Sequence, residues 1–505
     1  MEKRLILTIA LSLLVLLSWS AFVSKTYHIA NKEVTAINTP AENKLPEPSA
    51  SLPAGRELPA SSLFKYAQEK FEVTFIEAGA AIKEVTFKNN VSYTLPLQYG
   101  LLLQDNTLSF KREGSPAGRV TFVYSDQSKK IVKNFIFSPS DYSFWLELTL
   151  QNLSAAPLTL NLPLVLGVLD FSPTNPQARY QDALVSLQEK TLHLNARKDL
   201  TFEETQFLGL RDRYFCAIIE PEAKGYAAFI KRIKPQQSEI GLLSKELLLA
   251  PGQSLVQKFH IYLGPQDLRL INSIRPSWSA IIYYGTFDFI SQILLQVLHF
   301  LYSLVHNWGW AIVILSLVVY LVLYPLTLKQ MRSMKEMQAL QPRLEELRKA
   351  YKDNPQRLNK ETMELYRQHK VNPLSGCLPL LLQMPIFIAL YQALMRTIAL
   401  RGANFLWIKD LSEPDRLFIL PVSLPILGNE INILPLVMAI GMFIQQKISM
   451  ANTTGSTAEQ QRMMMVIMPL MFGLIFYKMP SGLVLYWFIN STFMLLYQLR
   501  INRQK

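Results

Sequence analysis

Cysteine is nearly missing from this 505-residue chain, which holds two, Cys216 and Cys377. They fall in different halves and in no CxxC or metal-ligand spacing, so neither a disulfide scaffold nor a thiolate zinc site is expected. Histidine is almost as scarce, at six residues. His193 and His260 stand alone among strand-forming residues, the usual setting of a structural imidazole. The chain contains no GxxxxGK[ST], HExxH, GxSxG or GxGxxG, so nucleotide hydrolysis and the commoner metal and serine chemistries have no visible apparatus. No catalytic residue, metal or cofactor is expected. Motifs for reading bases or phosphate backbones are missing too, which argues against nucleic-acid recognition. The net charge of +13 has a different source, because the basic residues gather beside apolar runs as they do in cytoplasmic flanks of membrane proteins.

What is present divides unevenly. Residues 307–341 hold an apolar run of about 20 residues, long enough to cross a bilayer, which passes without a break into a basic, methionine-rich arm. Ser316, Tyr320, Tyr324 and Thr327 recur along it every three or four residues and share one helix face. A membrane helix with one wet face implies a cavity or a partner.

Taken in order, residues 1–24 read as an N-terminal transmembrane anchor whose Lys3 and Arg4 keep the start of the chain in the cytoplasm. A cleaved signal peptide is the competing reading; the long apolar run and poor small-x-small exit favour the anchor. Residues 25–65, with Pro40, Pro46, Pro48, Pro53 and Pro59 among Ala, Ser and Glu, read as a disordered periplasmic tether. Residues 66–275 alternate apolar and polar with period two over 71–77, 82–88, 119–125, 142–152, 158–166, 213–221, 225–233 and 254–264. That predicts an all-β periplasmic sandwich, read as a scaffold.

Residues 276–306 are apolar yet striped. Asp288, Gln292, Gln296, His299, Ser303 and His306 run opposite Phe287, Ile290, Leu294, Val297 and Leu301, which predicts an amphipathic helix lying in the outer interface, with Trp278, Trp308 and Trp310 marking that interface. Crossings are expected at 307–328, 376–397, 431–449, 463–479 and 483–499. Residues 329–372 carry eleven Lys/Arg against six Asp/Glu and form a cytoplasmic helical hairpin, with Asn354 and Pro355 as a cap and first-turn pair. Met331, Met334, Met337 and Met363 suit binding of varied partners, or they merely pack the two arms. Residues 396–430 stay outside as a periplasmic or re-entrant loop, and 501–505 form a basic cytoplasmic tail. No ionisable residue falls mid-span, whereas Ser316, Tyr320, Gln383, Tyr486 and Asn490 supply uncharged polarity. They read either as interhelical hydrogen-bond glue, worth about 0.6 kcal/mol per contact, or as a shared hydrophilic groove.

Four segments carry a family resemblance: YPLTLKQMRSMKEMQALQP (324–342), KVNPLSGCLPLLLQMPIFIALY (370–391), FLWIKDLSEPD (405–415) and MPSGLVLYWFINS (479–491). Together they resemble the YidC/Oxa/Alb membrane protein insertase family, and the preceding half is similar to its Gram-negative YidC type. The resemblance implies a multi-domain membrane protein, with a five-helix α-helical insertase core, an N-terminal anchor and the β-sandwich. It implies insertion, folding and assembly of inner-membrane proteins, alone or with the Sec translocon. Nascent membrane proteins, ribosome-nascent chain complexes and membrane lipids would be the partners. Ser316, Tyr320, Gln383, Tyr486 and Asn490 would line the substrate groove, and Met331, Arg332, Met334, Lys335, Met337, Arg343 and Arg348 would be hairpin contacts. One departure stands out: the family's usual groove arginine, four residues before the tyrosine of YPLT, is Tyr320 here. An assembly chaperone without autonomous insertase activity and a small-solute transporter are the rivals. The missing inverted repeat and midplane ion ligand weigh against the transporter.

Overall fold

The computed structural model describes residues 62–88, 92–103, 108–139, 141–161, 163–188, 190–352, 354–369, 378–424, 428–450 and 457–503. The anchor over 1–24 and the tether as far as residue 61 lie outside the described residues. The chain divides into two compact units between Ile282 and Tyr283.

The first unit is antiparallel β. Its largest sheet has nine strands and is centred on Ser254–Pro265, which pairs with Ser143–Asn152 on one side and Phe215–Pro221 on the other. Lys129–Phe137 and Ser143–Asn152 bury every second residue, as strands with one face on a core must. A four-stranded sheet over residues 63–100 closes that core: Phe87 stacks on Phe215 at 3.9 Å between ring centroids, and Phe75 meets Phe135 edge-on at 5.0 Å. A second four-stranded sheet contains Leu164–Asp170, Gln237–Leu243, Ala227–Lys234 and Leu200–Phe202.

Three expectations are corrected. Strand Leu63–Ala67 begins inside the stretch assigned to the tether and pairs with Phe71–Ile76. The single strand expected over 158–166 is two. Leu158–Leu160 pairs with Leu247–Leu249, whereas Leu164–Asp170 joins another sheet, because Pro163 lies between them and cannot donate to a ladder. Trp278 does not mark a membrane surface. It is fully buried in the sandwich unit on the 3-10 turn Pro276–Ile281, and its Nε1 donates to Glu220 Oε2 at 2.6 Å. His260 is structural, stacked on Trp145 at 4.5 Å, and burial holds its imidazole below the ordinary histidine value. Helix α1, Leu268–Ile274, is capped by Asp267, whose Oδ1 accepts from Arg269 N at 2.8 Å.

The second unit is helical: α2 (Asp288–Val305), α3 (Trp308–Ala339), α4 (Gln341–Ala350), α5 (Pro355–Gln368), α6 (Leu378–Arg396), α7 (Ile433–Met450), α8 (Thr457–Phe476) and α9 (Ser481–Arg503). Helix α9 packs against α3 and α7, α8 against α7, and α2 against α3 and α6. On α2 the residues Ser291, Leu294, Leu295, Leu298 and Leu301 are buried, with Ser291 Oγ donating to Ala389 O at 2.9 Å. The opposite side exposes Phe289, Ile293, Phe300 and Leu304, so beside its polar stripe the helix presents a second apolar face. Among the described residues, three helical segments, 288–305, 308–325 and 481–500, are long and apolar enough to cross a membrane. At 32 residues, α3 is about 48 Å long, which exceeds the roughly 30 Å of a hydrocarbon core. Asn354 Oδ1 accepts from Arg357 N at 3.1 Å and caps α5, as the Asn-Pro pair predicts.

Candidate functional site

Helices α3 and α6–α9 are tight at one end and loose at the other. On α3 the buried positions are Gly309, Ala311, Ile312, Leu315, Ser316 and Val319, after which the described side chains as far as Leu328 are half-buried or exposed. Among the described side chains, burial on α6 begins at Ala389, on α7 it stops at Met438, and on α9 it runs unbroken from Ser481 to Tyr486 and then gives way, apart from Gln498, to half-buried or exposed positions. All of these limits fall toward the end that carries α4 and α5.

The tight end is closed by the segment between α6 and α7. Gly309 is a requirement of that closure, since a Cβ there would lie 2.0 Å from the ring of Phe405. Trp310 packs edge-on to the same ring at 5.5 Å. The first amides of two helices, which have no partner within their own helix, are satisfied from this segment. Asp415 Oδ2 accepts from Ile433 N at 2.8 Å and Leu434 N at 3.0 Å, and from Trp407 Nε1 at 3.3 Å. Ser481 N donates to Glu413 O at 2.8 Å and Gly482 N to Leu411 O at 2.9 Å, while Ser481 Oγ donates to Asp410 O at 3.0 Å. Asn432 adds a third tie, its Nδ2 donating to Tyr477 O at 2.7 Å. FLWIKDLSEPD and MPSGLVLYWFINS, far apart in sequence, are thus two sides of one seal. Asp415, Asn432, Tyr477 and Ser481 carry no periodic signal, and pattern reading missed them.

At the boundary between the tight and loosened parts, Gln383 Nε2 on α6 donates to the buried Tyr486 Oη on α9 at 3.0 Å, and Asn490 Nδ2 donates to Tyr486 O at 3.1 Å. The structure brings these three residues together. Tyr320 packs on Phe493 at 5.6 Å and lies 6.1 Å from Tyr324, which meets Tyr497 edge-on at 5.5 Å. An aromatic seam therefore joins α3 and α9. Ser316 sits a turn nearer the seal, fully buried, and its Oγ donates to Ile312 O at 2.8 Å. Thr327 donates likewise to Leu323 O at 3.0 Å. Those two hydroxyls are satisfied by their own helix, so the expected wet face of α3 reduces to its tyrosines. For Met331, Arg332, Met334, Lys335 and Met337 the structure describes a helical backbone. Arg343 is exposed, with Nη1 at 2.9 Å from His369 Nε2, and Arg348 is half-buried on α4.

A β-sandwich followed by an apolar helical bundle, sealed at one end and loosened at the other, is the architecture of a membrane protein with a large extramembrane domain. The profile described as "YidC periplasmic domain" matches residues 69–297, and that described as "60Kd inner membrane protein" matches 300–505. The membrane protein insertase YidC of Syntrophobacter fumaroxidans is 32% identical over 568 residues, covering 100% of both chains, and that of Pelobacter propionicus is 32% identical over 553 residues, covering 100% of this chain and 99% of its own. A solved structure described as an active YidC insertase with its first transmembrane domain resolved is 20% identical, with a TM-score of 0.41, covering 86% of this chain and 92% of that one. The chain belongs to the YidC family of membrane protein insertases. It is an inner-membrane protein with a periplasmic domain.

Proposed function

We propose that this chain takes nascent membrane proteins from the cytoplasm and passes them into the lipid through a hydrophilic groove formed by the loosened half of the bundle. The observation that carries the proposal is the common burial limit on α3, α6, α7 and α9, which in this reading lets water enter from one side only. Tyr320, Gln383, Tyr486 and Asn490 line the groove in this reading, and Ser316 is its floor. The sealed end faces the periplasm and the basic hairpin α4–α5 faces the cytoplasm, in keeping with the excess of Lys and Arg over residues 329–372. With α3 and α6–α9 as five crossings and 1–24 as a sixth, both termini are cytoplasmic.

The physical gain is a shorter dry path. A charged side chain costs about 2.5–3.5 kcal/mol at the bilayer centre on insertion scales. A wet groove reaching partway across lowers that cost, while the apolar part of the substrate leaves sideways into lipid. The Sec translocon and ribosome-nascent chain complexes are the expected partners, with hairpin residues Met331, Arg332, Met334, Lys335, Met337, Arg343 and Arg348 as contacts.

Reconstitution of the purified protein alone into liposomes tests this. A short membrane protein added during synthesis should become protease-protected. Protection that requires added Sec components favours the assembly chaperone, and uptake of a small polar solute without protein protection favours the transporter.

A further inference from the structure

Between the seal and α7 the chain forms a two-stranded antiparallel hairpin, Phe418–Leu424 with Gly428–Ile431, where the sequence reads as a periplasmic or re-entrant loop. Its base is polar and held in place. Arg416 pairs with Glu430 at 2.9 Å and with Glu413 at 3.5 Å, and Tyr477 Oη donates to Glu430 O at 2.7 Å. Beyond the base the character changes: residues 418–424 include no ionisable side chain, and Phe418, Ile419 and Val422 are 58%, 70% and 67% exposed.

Adjacent residues on a strand point to opposite faces, so Phe418 and Ile419 expose apolar surface on both sides of the ribbon. A docked protein covers one face, whereas lipid covers both. The surface is also continuous with the flank of the bundle, because α7 leaves the hairpin through Asn432 and exposes Leu436, Val437, Ile440 and Ile444. Depth is limited by the backbone. A two-stranded ribbon has open edges whose unpaired amides and carbonyls are not tolerated in hydrocarbon. Pro421 removes one such donor, yet the register slips between Ile419 and Leu424 and leaves the middle of the ribbon without regular pairing. These groups need water or lipid headgroups within reach, which excludes a deep re-entrant path.

We propose that the 418–431 hairpin is an interfacial anchor in the outer leaflet. Phe418, Ile419 and Val422 insert among headgroups and upper acyl chains, and fix the height at which the sealed end of the bundle sits. The proposal rests on the reading that the sealed end faces the periplasm.

The test uses the full chain with Cys377→Ser; Cys216 is fully buried in the sandwich and stays. Single cysteines at Phe418, Ile419 and Val422, with exposed Lys409→Cys as control, are labelled with an environment-sensitive fluorophore. The labelled proteins are reconstituted with lipids bearing a nitroxide either near the headgroup or near the chain end. Quenching at 418, 419 and 422 should be about twofold stronger with the shallow nitroxide, because an interfacial segment buries its apolar face only about 5–10 Å deep, and Lys409→Cys should be quenched by neither. In intact spheroplasts a membrane-impermeant maleimide should label Lys409→Cys and spare the three hairpin cysteines. Quenching by neither lipid, or hairpin labelling as fast as at Lys409→Cys, overturns the anchor. Stronger quenching by the deep nitroxide overturns the interfacial depth. Lys409→Cys reached only from the cytoplasmic side overturns the sidedness on which the proposal rests, whereas the quenching lipids, present in both leaflets, report the depth of the hairpin whichever side it is on.

Discussion

Lys133 is fully buried in the sandwich, and its Nζ donates to Ala80 O at 2.6 Å and Leu101 O at 2.5 Å. Both acceptor residues have positive φ, 44° and 62°, so the amine ties together two left-handed turns that L-residues adopt at some cost. Burial pushes this amine down to about 7 from the ordinary 10.5. Between those values the unfolded chain holds a proton that the folded chain lacks, so folded stability from this group rises with pH. Lys133→Met should lose roughly 1–3 kcal/mol from carbonyls left unpartnered. Its deficit relative to the parent should widen as pH is raised from 7 toward 10, which thermal unfolding across that range will show. At the other end of the chain, Asp415 caps α7 and holds Trp407. Asp415→Ala should cost about 0.5–2 kcal/mol, measured as a lower melting temperature of the purified protein in detergent, with Asp415→Asn losing less. Tyr320 raises a question of function rather than stability. Tyr320→Arg restores the family's usual positive charge and should raise insertion of a substrate with an acidic tail while leaving a neutral-tailed one unchanged; equal gains for both would show that the charge is not what Tyr320 replaced.

At the scale of elements, the seal and the arm are opposite solutions to the same problem of helix ends. At the sealed end the free amides of α7 and α9 are satisfied by loop atoms, which fixes those helices. At the other end α3, at 32 residues, is longer than a hydrocarbon core is thick and leads into α4 and α5. Residues 335–367 include Leu340 and Leu344, which are buried, while α5 buries none of its residues. Deleting 335–367 should therefore impair insertion in reconstituted liposomes far more than it lowers the melting temperature, and unchanged insertion would remove the hairpin from the substrate path. The Asn354 cap was legible in the sequence because capping is local chemistry. The split of 158–166 was half legible, since Pro163 announces a break but not that the two halves join different sheets. The Phe418–Ile431 hairpin was not legible, because two short apolar pieces around prolines have the same pattern whether they pair, dip or wander.

For the whole molecule, charge asymmetry and burial asymmetry point the same way. The basic excess of residues 329–372 lies at the end where helix burial fades, so, with the orientation proposed above, an insertion path open to the cytoplasm would need no moving gate on the periplasmic side. In intact spheroplasts an impermeant maleimide should label Glu222→Cys on the sandwich and spare Lys352→Cys until the membrane is permeabilised; the reverse would invert the proposed topology. By itself the sequence determined the all-β half, the helical half, the basic arm and the family, because period, length and charge bias are written residue by residue. It also brought Tyr320, Gln383, Tyr486 and Asn490 to notice as polar residues in apolar runs. The tertiary structure alone decided that Gln383 meets Tyr486, that Ser316 and Thr327 turn inward to their own helix, that Trp278 belongs to the sandwich, and that two distant motifs form one seal. Those are contacts between segments remote in the chain, and a one-dimensional pattern records which residue is polar but not what it faces.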